Sequence, residues 1–129
     1  MSVKYNVVER GKPGDLQAPK KYYPSIQSSG RMSLRQLANR ITQISTVSTT
    51  DTMAVLESLL TVIPQELAEG NIIELGDFGN FWLRNSAEGA SEMQQVTASN
   101  ITKLQPRFNP GKEFKKALAS VDFVKMSQN

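Results

Sequence analysis

Residues 72–83, Ile-Ile-Glu-Leu-Gly-Asp-Phe-Gly-Asn-Phe-Trp-Leu, decide how this chain is read. Their β-branched and aromatic content is that of a strand, interrupted by Gly76-Asp77-Phe78-Gly79. A glycine inside a strand pattern marks a bulge or bend, because it reaches backbone angles that other residues avoid. The expected bend aims Phe78 and Phe81 into a core while the strand continues. Two helical patterns precede this stretch, and a ribbon and a basic helix follow it. Each part says little alone; their order narrows the fold.

Upstream, Ser33 is a good N-cap, and Leu34, Leu37, Ala38, Ile41 and Ile44 recur at the spacing of one helical face. Ser45 to Ser48 breaks that pattern. A second helix is expected from Thr49 or Thr50, with Asp51 at the positive end of its dipole. Its apolar stripe is Met53, Val55, Leu56, Leu59, Leu60, Ile63 and Leu67. Pro64 is expected to kink it, since proline removes a backbone donor and crowds the preceding turn. Gly70 suits the left-handed residue that commonly ends a helix.

Downstream, residues 84–90 are polar, and Met93 to Lys103 has the Thr, Val and Ile content of a returning strand. Asn109-Pro110-Gly111 reads as a turn into a last helix from Lys112 to Ala119. Short strands are expected at Val3–Val8 and Val121–Val124, with an extended segment at Lys20–Pro24. Helices flanking a three-strand meander make the fold class α+β.

Composition excludes several function classes. The chain has 129 residues and no cysteine or histidine, so it has no disulfide, no thiolate metal site and no imidazole base. An enzyme would need a carboxylate pair. Glu57, Glu66, Glu69 and Glu74 show no convergence, so no catalysis, cofactor, metal or small-molecule substrate is expected. No apolar run approaches the roughly 18 residues of a membrane span, and the amino terminus lacks the apolar core of a secretion signal. A cytoplasmic protein is the expectation. Few aromatics and a small size leave a thin core for a monomer.

The net charge of +3 hides a segregation along the chain. Residues 1–40 hold eight Lys or Arg against Glu9 and Asp15, whereas residues 41–100 hold only Arg84 against eight acids. Residues 101–129 are basic again, with six Lys or Arg against Glu113 and Asp122. A basic surface for an anionic partner and an ordinary solvated surface both fit this pattern.

Three stretches together resemble the bacterial histone-like HU and IHF family. They are Val55–Leu60 with Glu69-Gly70-Asn71, Gly76–Phe81, and Pro106–Lys112 followed by Lys115, Lys116, Ala117 and Leu118. The resemblance covers residues 33–119, with an arm at about 84–107, a basic extension at 1–32 and a strand extension at 120–129. It implies an intertwined homodimer in which two helices and a sheet with a β-ribbon arm embrace double-stranded DNA. Bending through the minor groove is a general property of that family and is carried over only as an implication. Phe78, Phe81 and Phe108 then form a shared dimer core.

The implied phosphate contacts are Arg84, Lys103, Arg107, Gly111, Lys112, Lys115 and Lys116. Gly111 and Lys112 open a helix whose free amide donors suit a phosphate. Lys20, Lys21 and Arg31 are possible additional contacts. The implied function is architectural, weakly sequence-specific DNA binding in the bacterial nucleoid. One departure favours an alternative, an HU-fold interaction module with reduced DNA binding. Ser86 to Thr102, the expected arm, has no Lys, Arg or Pro and carries Glu88 and Glu92. Without the arm's usual proline, only Met93 or Val96 remains as an apolar wedge.

Overall fold

The computed structural model describes residues 1–126, which divide into two compact units. One comprises Leu34–Ala117; the other is built from residues 1–33 and the chain from Leu118 onward.

The larger unit begins with α1 (Leu34–Ile44) and α2 (Thr49–Ala68), which pack on each other. Ser48 caps α2: its side-chain oxygen accepts from the Asp51 amide at 3.1 Å. The helix continues through the exposed Pro64 to Ala68. It ends as the glycine indicated, with Gly70 at φ 88°. The Gly70 amide donates to Leu67 O at 2.9 Å and the Asn71 amide to Glu66 O at 3.1 Å, which satisfies two terminal carbonyls.

The 72–83 stretch differs from its expectation. It is not one bent strand but two, β3 (Ile73–Glu74) and β4 (Gly79–Ala87), joined by a 3₁₀ turn at Gly76–Phe78. The chain reverses there, and Ile73 pairs antiparallel with Phe81. Gly76 at φ 59° and Gly79 at φ 150° stand at the two ends of this turn. The Leu75 amide closes it on Gly79 O at 2.9 Å. Two glycines three residues apart allow a reversal that one glycine in a strand would not.

The third strand, β5 (Ile101–Pro110), completes a sheet of order β3-β4-β5. It is shorter at its start than Met93–Lys103 implied, because residues 93–100 form two 3₁₀ turns instead. Polar side chains explain the change. Asn100 Oδ1 accepts from the Thr97 amide at 2.9 Å, while Asn100 Nδ2 donates to Glu88 O at 2.9 Å. Such local bonds offer the backbone an alternative to the ladder.

After β5, Gly111 leads into α3 (Lys112–Leu118). The Gly111 amide donates to Phe78 O at 2.8 Å, fastening the end of the sheet to the 3₁₀ turn. A Cβ at this position would run into the Asp77 carbonyl.

In the smaller unit, β1 (Ser2–Arg10) lies between β2 (Lys21–Gln27) and β6 (Asp122–Lys125). β1 is antiparallel to β2 and parallel to β6, with Val3 beside Phe123. Pro24 is tolerated in β2 because this is an edge strand, where one side of the backbone needs no partner.

Burial is sparse. Ala38 and Leu67 are the buried apolar side chains among the described residues. The expected stripe on α2 resolves into two. Met53, Leu56, Ile63 and Leu67 are half-buried or buried and Leu60 is exposed, whereas Val55 and Leu59, with Val62 outside the expected set, form a second stripe that is 66%, 40% and 48% exposed. On α1, Leu37 and Ile44 also stay exposed.

Gly111→Ala should lower stability by about 1–3 kcal/mol, the usual cost of forcing extra volume into a tight site. Urea denaturation at fixed protein concentration measures this. A loss below about 0.5 kcal/mol would show that the close approach to Asp77 is not a constraint.

Candidate nucleic-acid interface

The β4–β5 ladder sorts side chains by chemistry. Asn80, Trp82, Arg84 and Ser86 stand opposite Asn109, Arg107, Gln105 and Lys103 respectively. Alternation along each strand puts these eight residues on one face. The other face carries Phe81, Leu83 and Asn85 opposite Phe108, Pro106 and Leu104. These eight are three cations, four amide or hydroxyl side chains and one indole, and Glu74 of β3, opposite Asn80, adds one acid at the edge of the same face. Arg84, Lys103 and Arg107, three of the residues picked out in the sequence, are thus brought together. Arg107 also donates to Gln105 Oε1 at 3.2 Å, across that face.

Phenylalanines occupy the reverse side. Phe108 packs against Phe81 at 4.8 Å between ring centroids and against Phe78 at 5.6 Å. Phe114 from α3 meets Phe78 edge-on at 5.0 Å and Phe108 at 5.8 Å. Sequence reasoning omitted Phe114, the one aromatic residue of the last helix. Phe78 remains 50% exposed despite two ring contacts.

Lys112, Lys115 and Lys116 are all exposed, and their spacing groups them on one side of α3. The Gly111 amide, placed before the 7-residue α3, donates to Phe78 O within the fold.

Lys20 and Lys21 stand together at the loop end of the β1–β2 hairpin, whereas Arg31 lies elsewhere along the chain. Lys21 opens β2 opposite Arg10, Lys20 lies beside Gly11, and Arg31 follows β2 in the segment before α1. The cation-free stretch between β4 and β5 displays Met93 at 88% exposure. Among the described residues no group of three or more His, Cys, Asp or Glu could hold a metal ion, and no helix is long and apolar enough to cross a membrane.

Known proteins resemble this chain. A family described as "HU domain fused to wHTH, Ig, or Glycine-rich motif" matches residues 1–125, and the chain belongs to it. The chain is similar to the DNA-binding protein HU-alpha of Escherichia coli, with 32% identity over 93 residues, 67% of this chain and 99% of that protein. It is also 33% identical to the DNA-binding protein HU of Buchnera aphidicola over 92 residues, 70% of this chain and all of that protein.

Two solved structures share the fold. HU from Anabaena, in a cocrystal with DNA, superposes with a TM-score of 0.54 at 23% identity over 69% of this chain and 99% of that one. A candidate bacterial DNA-binding protein from Bacteroides vulgatus gives a TM-score of 0.66 at 11% identity and covers 99% of this chain. The present chain spans 49% of the length of that protein.

Proposed function

We propose that this protein binds double-stranded DNA as an architectural homodimer of the bacterial nucleoid, through phosphates rather than base edges. The grouping of three cations on the β4–β5 face, against Glu74 alone at its edge, carries this reading, and the names of the HU relatives agree with it. Arg84, Lys103 and Arg107 neutralise phosphates, with Lys112, Lys115 and Lys116 as further contacts. Neutralising phosphates releases condensed counterions, so affinity falls steeply with salt. Contacts of this kind fix position and carry little sequence information.

The dimer reading rests on unsatisfied apolar surface. Val55, Leu59 and Val62 on α2, together with Phe78 and Phe108, expose more apolar area than one small chain should leave to water. A second copy supplies the missing half of the core, and Phe78, Phe81 and Phe108 lie within it. Each aromatic ring can bury roughly 150–250 Å² in such an interior. A proline wedge has no place in this binding, because the segment between β4 and β5 lacks one.

Two measurements check these statements. In a mobility shift with a plain duplex, the protein should retard DNA at low salt. Replacing Arg84, Lys103 and Arg107 by Gln should make the slope of log affinity against log salt shallower by roughly 0.9 for each phosphate no longer neutralised. Absence of retardation by the unmodified chain at low salt would favour the HU-fold interaction module instead. In sedimentation, the protein should run as a dimer and Leu59→Glu should run as a monomer. A monomeric unmodified protein would sink the shared core.

A further inference from the structure

The β1–β2 hairpin ends in a second group of cations that the β4–β5 face does not explain. Arg10 and Lys21 are Cα partners on the last rung of the ladder, and Lys12 follows in the connecting loop. Like charges directly opposite each other weaken a sheet, so this placement works against the hairpin that carries it. Among the described residues, none of the three forms an ion pair.

Nearby acids relieve the repulsion only in part. Glu9 alternates to the other face of β1. Asp15 borders the same recess, but its Oδ1 accepts the Gln17 amide at 3.0 Å, within a turn closed by the Asp15 amide on Lys12 O at 3.1 Å. Arg10, Lys12 and Lys21 line an open recess of about 760 Å³ together with Gln17 and Tyr23. Tyr23 pairs with Val8 two rungs from Arg10, so its ring lies on the face of Arg10 and Lys21. Three cations against one carboxylate, spread along such a recess, suit a run of phosphates better than a single small anion.

We infer that this recess holds the phosphate backbone of DNA, as a second binding surface on the same chain. It is built wholly from residues 10–23, apart from the β4–β5 face. The inference rests on the DNA-binding reading above, and it identifies Arg10 and Lys12 as binding residues beside Lys21. Their grouping depends on strand register and turn geometry, which the charge balance of the first forty residues does not reveal.

The test uses the full chain with Arg10, Lys12 and Lys21 all replaced by Gln, beside the unmodified protein and the Arg84, Lys103, Arg107 variant. Affinity for a plain duplex is measured across a salt series. The hairpin variant should show a slope shallower by roughly 2.7 for each subunit in contact with the duplex, or about 0.9 for each cation removed. The β4–β5 variant should keep a residual, salt-sensitive affinity that disappears when both sets are combined. The hairpin variant should melt no lower than the unmodified protein, since it removes a repulsion. If it does melt lower, Lys21→Gln alone should still make the slope shallower, by about 0.9.

An unchanged slope, with the unmodified protein binding normally, overturns this inference and leaves the DNA-binding reading standing. An unmodified protein that binds no duplex overturns both. If inorganic phosphate raises the melting temperature of the unmodified protein but not of the hairpin variant, while the DNA slope stays the same, the recess takes a free anion and the inference fails.

Discussion

The pairing of Phe81 with Phe108 across β4 and β5 sets which side chains share a face in the larger unit's sheet. Side chains alternate along a strand with period two, so a slip of one residue between the strands would break the pairing that groups the cations. With the observed register, Arg84, Lys103 and Arg107 share a face and the phenylalanines share the other. Several contacts hold that register. The rings of Phe81 and Phe108 lie 4.8 Å apart, and Gly79 sits so close to Asn109 O that no side chain would fit there. The Gly111 amide on Phe78 O then ties the far end of β5 to the turn that starts β4. Aromatic cohesion on one side therefore organises electrostatics on the other.

The same aromatic side is also incomplete. A small domain buries a modest share of its surface, and here burial falls short even of that. An apolar stripe on α2 and a half-exposed Phe78 are costly to leave in water at about 25 cal/mol per Å². No rearrangement within α1 and α2 covers Val55, Leu59 and Val62, because α2 already turns its Met53, Leu56 and Leu67 side inward. A helix apolar on two sides needs two neighbours. α1 is one of them, and an identical helix from a second chain is the simplest candidate for the other.

Much of this could be read in the sequence where the signal is local. The start of α2 at Thr49, the stop at Gly70 and the period of α1 come from residues acting on their immediate neighbours. The fold class followed from the order of such elements. Reading failed where geometry depends on a partner strand. Gly76 and Gly79 each carry the mark of a bend, but only together do they reverse the chain. Thr97 and Asn100 look like strand residues by composition until their side chains are seen to bond the backbone. The basic residues were visible at once. Which of them share a face was not, because that requires the register of two ladders.

Those registers change the meaning of the cation-free stretch at Ser86–Thr102. If DNA binding depended on a basic, flexible loop, its loss of Lys and Arg would argue against binding. Here the cations stand on paired strands, at Arg84, Lys103 and Arg107, and at the hairpin rung of Arg10 and Lys21. A side chain on a fixed backbone loses less conformational freedom on meeting a phosphate than one on a mobile loop. Fewer cations, better positioned, can then offset the missing loop charges.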